Sequence, residues 1–272
     1  MRKRLVFKRL LYRDIAYSFS YSKIKYGIFF ILTSLLAAGK ALQLQGIDST
    51  GSVDVLYFML KDEGYFLDLD NYQVPVDWIF FQTVALFLLS DYYVHDLGRN
   101  ALYVTIRSSS KATFLLAKLC WLILQTAALF VGVFLVVFCV TGLVLGHFSL
   151  EVTPFYQHHI MPMLQLDRSP LQLMAQLLIG YIVTTLVLSM IQLLLVQFLE
   201  PIFSFLIVVL LLGISTIGDS RWLPAIHSMI LRQEIFDLDH ALSWQFSYLY
   251  SAALFIVLSI AALLVYRRKD IL

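Results

Sequence analysis

Three histidines and a glutamate within residues 146–170 are the side chains whose types best suit hydrolysis or zinc binding. They are His147, Glu151, His158 and His159. Zinc sites use three or four ligands, often at a spacing such as HExxH, and this stretch lacks that spacing. Neighbouring His158 and His159 also point in different directions on any regular element. An intramembrane hydrolase built on these residues is therefore the third of three hypotheses for this chain.

Asp68 and Asp70 form a second acidic feature, with the DxD spacing that can bind a metal ion. No glycine-rich loop or histidine accompanies this pair. The sequence also lacks the motifs GxxxxGK[ST], GxGxxG, GxSxG, HExxH and CxxC, which support phosphate binding, acyl transfer, metal hydrolysis and redox chemistry. We therefore expect no metal site, no cofactor and no enzymatic activity on this chain.

Residues 96–114 form the polar segment with the clearest functional pattern. An acidic and glycine-containing start leads into an amphipathic run and then a cationic serine cluster. A short helix of this kind, lying across a membrane surface, could receive force from a soluble motor. A loop whose positive charges only fix membrane orientation is the alternative. The candidate contact residues are Asp96, Gly98, Arg99, Asn100, Arg107, Ser108, Ser109, Ser110 and Lys111.

The elements that position these residues must be embedded in lipid. Hydrophobic residues make up 60% of the 272 residues, charged residues make up 14%, and the mean hydropathy is +0.81, which exceeds what a soluble core could hide. A hydrocarbon layer of about 30 Å needs roughly 20 helical residues. Six stretches qualify, and they are Leu-rich without period-two alternation: residues 26–43, 78–94, 115–145, 171–199, 202–217 and 246–266. The sequence predicts an all-α membrane protein with six transmembrane helices.

Charge predicts the orientation of these helices. Six crossings place both termini on one side, which then holds 15 of the 20 Lys+Arg residues but only five of the 18 acids. By the positive-inside rule this side is cytoplasmic. We expect a multi-pass protein of the cell (plasma) membrane, with one membrane domain at residues 26–272. Its extracellular segments are residues 46–77, 146–170 and 219–245.

Residues 1–25 place apolar side chains on one helical side and cations largely on the other. This pattern predicts an amphipathic helix in the cytoplasmic interface, serving either as a topology anchor or as a docking element for a partner. Outside the membrane, Ser52 to Lys61 predicts a short helix. Residues 219–245 mix apolar anchors with charges and predict short re-entrant helices before the sixth span. They would form an outer lid that includes Trp222, Pro224, Met229 and Arg232.

Five polar residues in the fourth predicted span are candidates for a translocation path. The alternative is that they only bond neighbouring helices, which is the commoner use of such groups. These residues are Gln176, Thr184, Thr185, Ser189 and Gln192.

This layout resembles the permeases of ATP-binding-cassette transporters of the type-2 exporter (ABC-2) family. The resemblance rests on Asp96 with Gly98, Arg107 to Lys111 with Lys118, Trp222 to Pro224 with Met229 and Arg232, and Arg267 to Asp270. It implies that segment 96–114 sits in a groove on a separate ATPase subunit, which binds ATP and Mg. It also implies two ATPase copies and a second permease copy, forming a homo- or heterodimer.

The expected function is export of a hydrophobic or amphipathic substrate, driven by ATP that a separate subunit hydrolyses. The acidic outer side fits a cationic peptide such as a bacteriocin or another antimicrobial peptide. The alternative is a non-transporting membrane subunit that gives immunity to such a peptide or senses it. The expected partners are the ATPase, a second permease copy, membrane lipid and the transported small molecule or peptide, with no nucleic acid.

Overall fold

The computed structural model describes residues 2–47, 49–66, 72–99, 111–240 and 242–268, and every regular element in these residues is helical. The α-helices are α1 (Arg2–Leu44), α2 (Ser52–Leu60), α3 (Val76–Arg99), α4 (Lys111–Leu145), α5 (Pro170–Leu195), α6 (Pro201–Ile217) and α7 (Trp244–Arg268). Single turns of π- or 3-10 helix occur at Tyr156–Ile160, Met161–Met163, Ile226–Ser228 and Ile230–Arg232. The predicted all-α class is confirmed, and α2 matches the short helix predicted from Ser52.

Four helices are long and apolar enough to cross a membrane. They are α4, α5, α7 and the part of α1 from Leu5 to Leu44. The other two predicted spans are helices as well, but α6 has only 17 residues. Helix α3 has 24 residues and carries Asp77, Gln82 and Asp91, polar groups that lower its hydropathy.

The long helices alternate in direction, so their ends meet in two layers. In the first layer the start of α1 lies beside the end of α3 and the start of α4, because Lys118 pairs with both Asp14 and Asp96. The end of α7 belongs to the same layer, since the rings of Phe114 and Tyr266 stack with centroids 5.9 Å apart. We call this layer the base.

The opposite layer, which we call the cap, is formed by the connecting segments 49–66, 149–169 and 218–240. Its apolar side chains join the same core as those of the long helices. Tyr181 of α5 donates a hydrogen bond of 2.7 Å to the carbonyl of Leu60 at the end of α2. Trp78 of α3 donates one of 3.1 Å to Ser228. In place of the predicted re-entrant helices, the segment before α7 contains two single 3-10 turns.

Helix α1 runs unbroken across the boundary predicted between an interfacial helix and the first span. Its 43 residues measure about 64 Å at 1.5 Å per residue, roughly twice the hydrocarbon thickness. No proline lies within α1, and Gly27 has open space around it. Nothing in the local sequence therefore ends the helix near Lys25.

Helix α1 packs side by side and in parallel with α4. Trp121 donates to Ser18 (2.9 Å), and Gln125 donates to Tyr26 (2.9 Å) farther along both helices. A Cβ atom at Gly132 would lie 2.8 Å from the Phe30 ring, so a larger residue there would force this ring to shift.

Candidate functional site

A buried network of charged side chains joins three helices at the base. Lys118 Nζ of α4 lies 2.9 Å from Asp14 of α1 and 2.5 Å from Asp96 of α3. The side chains of Lys118 and Asp96 are 0% exposed, and that of Asp14 is 1% exposed. Lys118 also donates to the Tyr92 hydroxyl (3.3 Å), which itself donates to Asp14 (3.2 Å).

Arg13 completes the network from its rim. Its guanidinium pairs with Asp96 and lies 3.5 Å from Asp14, and its side chain is 28% exposed. The two carboxylates are thus balanced by two cations. Removing a charge from water costs several kcal/mol per ion, so charges persist in a protein interior when they are closely paired, as they are here. We call these four residues, together with Tyr92, the ion network.

The ion network holds both helices that flank the predicted coupling segment. Asp96 lies three residues before the end of α3 at Arg99, and Lys118 lies about two turns inside α4, which begins at Lys111. Both are tied to α1 through Asp14. The ion network therefore joins α1, α3 and α4 next to this segment.

The predicted coupling residues are only partly included in the described residues. Asp96 belongs to the ion network, and Lys111 donates a hydrogen bond of 3.4 Å to the carbonyl of Arg267. Gly98 and Arg99 lie in the last turn of α3. Asn100, Arg107, Ser108, Ser109 and Ser110 lie outside the described residues.

Sequence reasoning missed Asp14, the residue that connects α1 to the ion network. Two signals point to it. Asp14 is the only acid among residues 1–25, and Asp14, Ser18, Ser22 and Tyr26 repeat at intervals of four, which places them along one side of a helix. All four are buried.

The candidate path residues on α5 divide into two groups. Successive helix residues are about 100° apart, so Thr185, Ser189 and Gln192 fall within an arc of about 60°. All three are buried. Thr184 lies beside this arc and is buried, while Gln176 is half-buried on another side of the helix.

A chain of hydrogen bonds continues from this arc into the cap. Thr185 donates to the Gln82 carbonyl oxygen (2.7 Å), and the Gln82 amide donates to Ser228 (3.2 Å). We call the line of Ser189, Thr185, Gln82 and Ser228 the polar seam. Gln82 was not among the predicted path residues, although an amide in the middle of a predicted span was a signal for it.

Arg232 locks the cap onto the end of α6. Its guanidinium donates to the carbonyls of Ser215 (3.0 Å), Gly218 (2.7 Å) and Thr216, and to that of Gly64 (2.8 Å). A cation is favoured there by the partial negative charge at a helix C-terminus. Burial lowers the pKa of Arg232, and the nearby carboxylate of Asp62 opposes that shift.

The other predicted lid residues take two kinds of position. Pro224 and Met229 are buried, whereas Trp222 is exposed. Asp62, which lies in the predicted extracellular segment 46–77, is buried as well. It accepts hydrogen bonds from the backbone amides of Leu231 and Gly64, both at 2.9 Å, and burial raises its pKa.

The residues considered for metal or hydrolytic chemistry lie only partly within the described part of the chain. Among the described residues there is no group of three or more His, Cys, Asp or Glu side chains that could hold a metal ion. His158 and His159 are exposed in the π-helical turn, and Glu151 is exposed before it. Asp68 and Asp70 lie outside the described residues.

The chain belongs to the DUF2705 family, described as a protein of unknown function, whose family model matches residues 49–272. No curated protein and no solved structure matches the chain. Asp96 and Lys118 lie within the matched residues, and Asp14 precedes them.

Proposed function

We propose that this chain is the membrane-spanning permease subunit of an ATP-driven exporter of the ABC-2 type. The proposal includes six crossings, with the base and both termini in the cytoplasm. Its support is the resemblance in layout, the alternating direction of the helices, and the concentration of cations in the segments that meet at the base. Four apolar helices of sufficient length are compatible with this placement.

The ion network is the observation that carries the proposal. A permease driven by an external ATPase needs its coupling segment to be rigidly linked to the helices that must move. Here both flanks of segment 96–114 are held to α1 through Lys118, Asp96 and Asp14. Removing one partner from a buried ion pair costs about 3–5 kcal/mol, so we expect the three helices to stay joined when the coupling segment moves.

The partners follow from the same proposal. Two ATPase subunits bind ATP and Mg and contact the base, and a second permease copy completes the complex. The substrate is hydrophobic or amphipathic. A cationic antimicrobial peptide is the substrate we favour, because the predicted extracellular segments 46–77, 146–170 and 219–245 hold 13 of the 18 acids.

Affinity purification of tagged protein from its native host in mild detergent, followed by mass measurement of the intact complex, tests the proposal. The expected complex contains ATPase and permease chains in equal numbers. Arg107→Glu in the predicted coupling segment should release the ATPase, whereas Arg221→Glu at the cap should retain it. A lone chain, from cells in which candidate ATPases are expressed and stable, would contradict the exporter proposal and favour the sensing or immunity alternative.

A further inference from the structure

A small cavity lies between α3, α4 and α5, directly beside the ion network. Its volume is about 10 Å³, close to the lower limit for one water molecule. Tyr93 and Ser90 line it from α3, Lys118 and Trp121 from α4, and Ser189 from α5. The cavity therefore adjoins both the ion network and the base end of the polar seam.

Two hydroxyl groups among the lining residues lack a hydrogen-bond partner. These are Tyr93 Oη and Ser189 Oγ, for which no other described residue supplies a bond. Tyr93 is 4% exposed and Ser189 is 7% exposed. Buried polar groups are nearly always bonded to protein or to ordered water. Ser90 donates its hydroxyl proton to the Phe87 carbonyl and keeps its oxygen available as an acceptor.

The charges of the ion network supply an independent reason for water at this point. Charged side chains between apolar helices nearly always pair with one another and face the bundle interior or a water-filled cavity. Lys118 pairs with Asp14 and Asp96 and also lines the cavity, which places a charged residue at its wall.

We propose that the cavity is a water-binding site. A water molecule there bonds the hydroxyls of Tyr93 and Ser189 and solvates the ion network beside Lys118. Gln192, one turn closer to the base on α5, also has a buried side-chain oxygen without a partner among the described residues.

The polar seam is therefore hydrated at Ser189, its residue nearest the base, and its side chains bond directly to one another toward the cap. Above Ser189, the groups of Thr185, Gln82 and Ser228 are bonded directly to one another. This inference concerns water inside the bundle and does not rest on the exporter proposal. A dry cavity would overturn it without affecting ATPase binding, and absence of an ATPase would leave it standing.

X-ray footprinting of the full chain in H₂¹⁸O tests the site, because radiolysis of a bound water oxidises the side chains next to it. Tyr93 and Trp121 should be oxidised several-fold faster than Tyr181, and should incorporate ¹⁸O. Tyr181 is the matched control, since it is also buried but donates its hydroxyl to the Leu60 carbonyl. Oxidation of Tyr93 and Trp121 at the rate of Tyr181 would overturn the proposal.

Two variants show whether the oxidation arises from this cavity. Ser189→Val fills the cavity, so the oxidation of Tyr93 and Trp121 should fall to the Tyr181 rate. Tyr93→Phe removes one bonding partner of the water and should reduce oxidation at Trp121, which gives the same test if Ser189→Val does not fold. Undiminished oxidation of Trp121 in a folded variant would overturn the proposal.

Discussion

Lys118 and Asp14 form an ion pair of 2.9 Å in which neither side chain is more than 1% exposed. The two residues are 104 positions apart in the chain. Their pairing makes the first part of α1 an integral part of the helix bundle, whereas composition alone suggested a separate surface helix. The same lysine binds Asp96, so one cation links three helices at the base.

Replacing Lys118 by methionine should destabilise the protein by about 3–5 kcal/mol, because two buried carboxylates would lose their shared cation. Thermal unfolding in detergent, followed by tryptophan fluorescence, measures this loss. Adding Asp14→Asn and Asp96→Asn to the same chain should restore part of the stability, since the uncompensated charges are then removed.

The Lys25–Asp91 ion pair provides the matched control for that experiment. It also joins α1 to α3, but the side chains are 36% and 23% exposed. Lys25→Met should therefore cost no more than about 1 kcal/mol. Equal losses for Lys118→Met and Lys25→Met would contradict the structural role assigned to the ion network.

Gly132→Val should disrupt the packing of α1 on α4. The new Cβ would lie 2.8 Å from the Phe30 ring, and overpacking of this kind costs about 1–3 kcal/mol. The second substitution Phe30→Ala should relieve the clash. Gly39→Val is the control, because nothing lies within 4 Å of a Cβ at that helical position. The thermal midpoints of the wild type, Gly132→Val, Gly132→Val with Phe30→Ala, and Gly39→Val check this prediction. It fails if Gly132→Val and Gly39→Val lose the same stability.

Arg232→Lys should loosen the cap although the positive charge is kept. A lysine ammonium cannot reproduce the planar fork that reaches the carbonyls of Gly64, Ser215 and Gly218 together. Hydrogen exchange should then rise several-fold in residues 218–240 and little in α4. Arg221→Lys, at an exposed cation, should leave exchange unchanged. Protection of the cap that is unaltered in Arg232→Lys would contradict the locking role.

The free energy of unfolding should fall as the pH is lowered through the range in which His227 is protonated in the unfolded chain but neutral in the folded chain. Burial lowers the pKa of His227 from 6.5 to about 4. Above pH 6.5 neither state is protonated at this residue, and between the two values only the unfolded chain binds the proton. The loss accumulates downward through this window and reaches at most about 3 kcal/mol near its lower end.

His227→Asn separates this effect from other groups that titrate in the cap. The variant should be less stable at neutral pH, because asparagine fits the site less well, but its thermal midpoint should fall less between about pH 6.5 and about pH 4. His147→Asn, at an exposed histidine, should keep the wild-type slope. Parallel pH curves for the wild type and His227→Asn would contradict the assignment.

The long helices could be predicted from sequence because lipid requires continuous apolar stretches, which are visible residue by residue. The short helix α2 was predicted, but the packing of the cap was not, because it depends on contacts between distant segments, such as Arg232 with the carbonyls that end α6. The boundary predicted after Lys25 also has no cause in the local sequence, since α1 continues through it. The amphipathic pattern of residues 1–25 could not show that Asp14 faces two other helices. Asp14 is buried there, whereas the apolar side chains of Ile15 and Phe19 are exposed.

The candidate site was predictable in part, because some of its residues stand out in the sequence by their type and pattern. The sequence pattern identified Asp96 and the cationic segment after it, and the type of residue singled out Ser189 and Thr185. Which atoms lie opposite each of these residues depends on helix packing. Gln82 and Tyr93 therefore became part of the site only when α3 was placed beside α5.

Photo-crosslinking from residue 109 in membranes of the native host shows whether the coupling segment contacts an ATPase. A photoreactive amino acid replaces Ser109 in the coupling segment, and a second protein carries it at Gln165 in the cap. If the exporter proposal is right, an adduct with an ATP-binding subunit forms from position 109 and none forms from position 165. Absence of that adduct at position 109, in cells where the photoreactive chain is folded and inserted, would contradict the account, as would equal adducts from both positions.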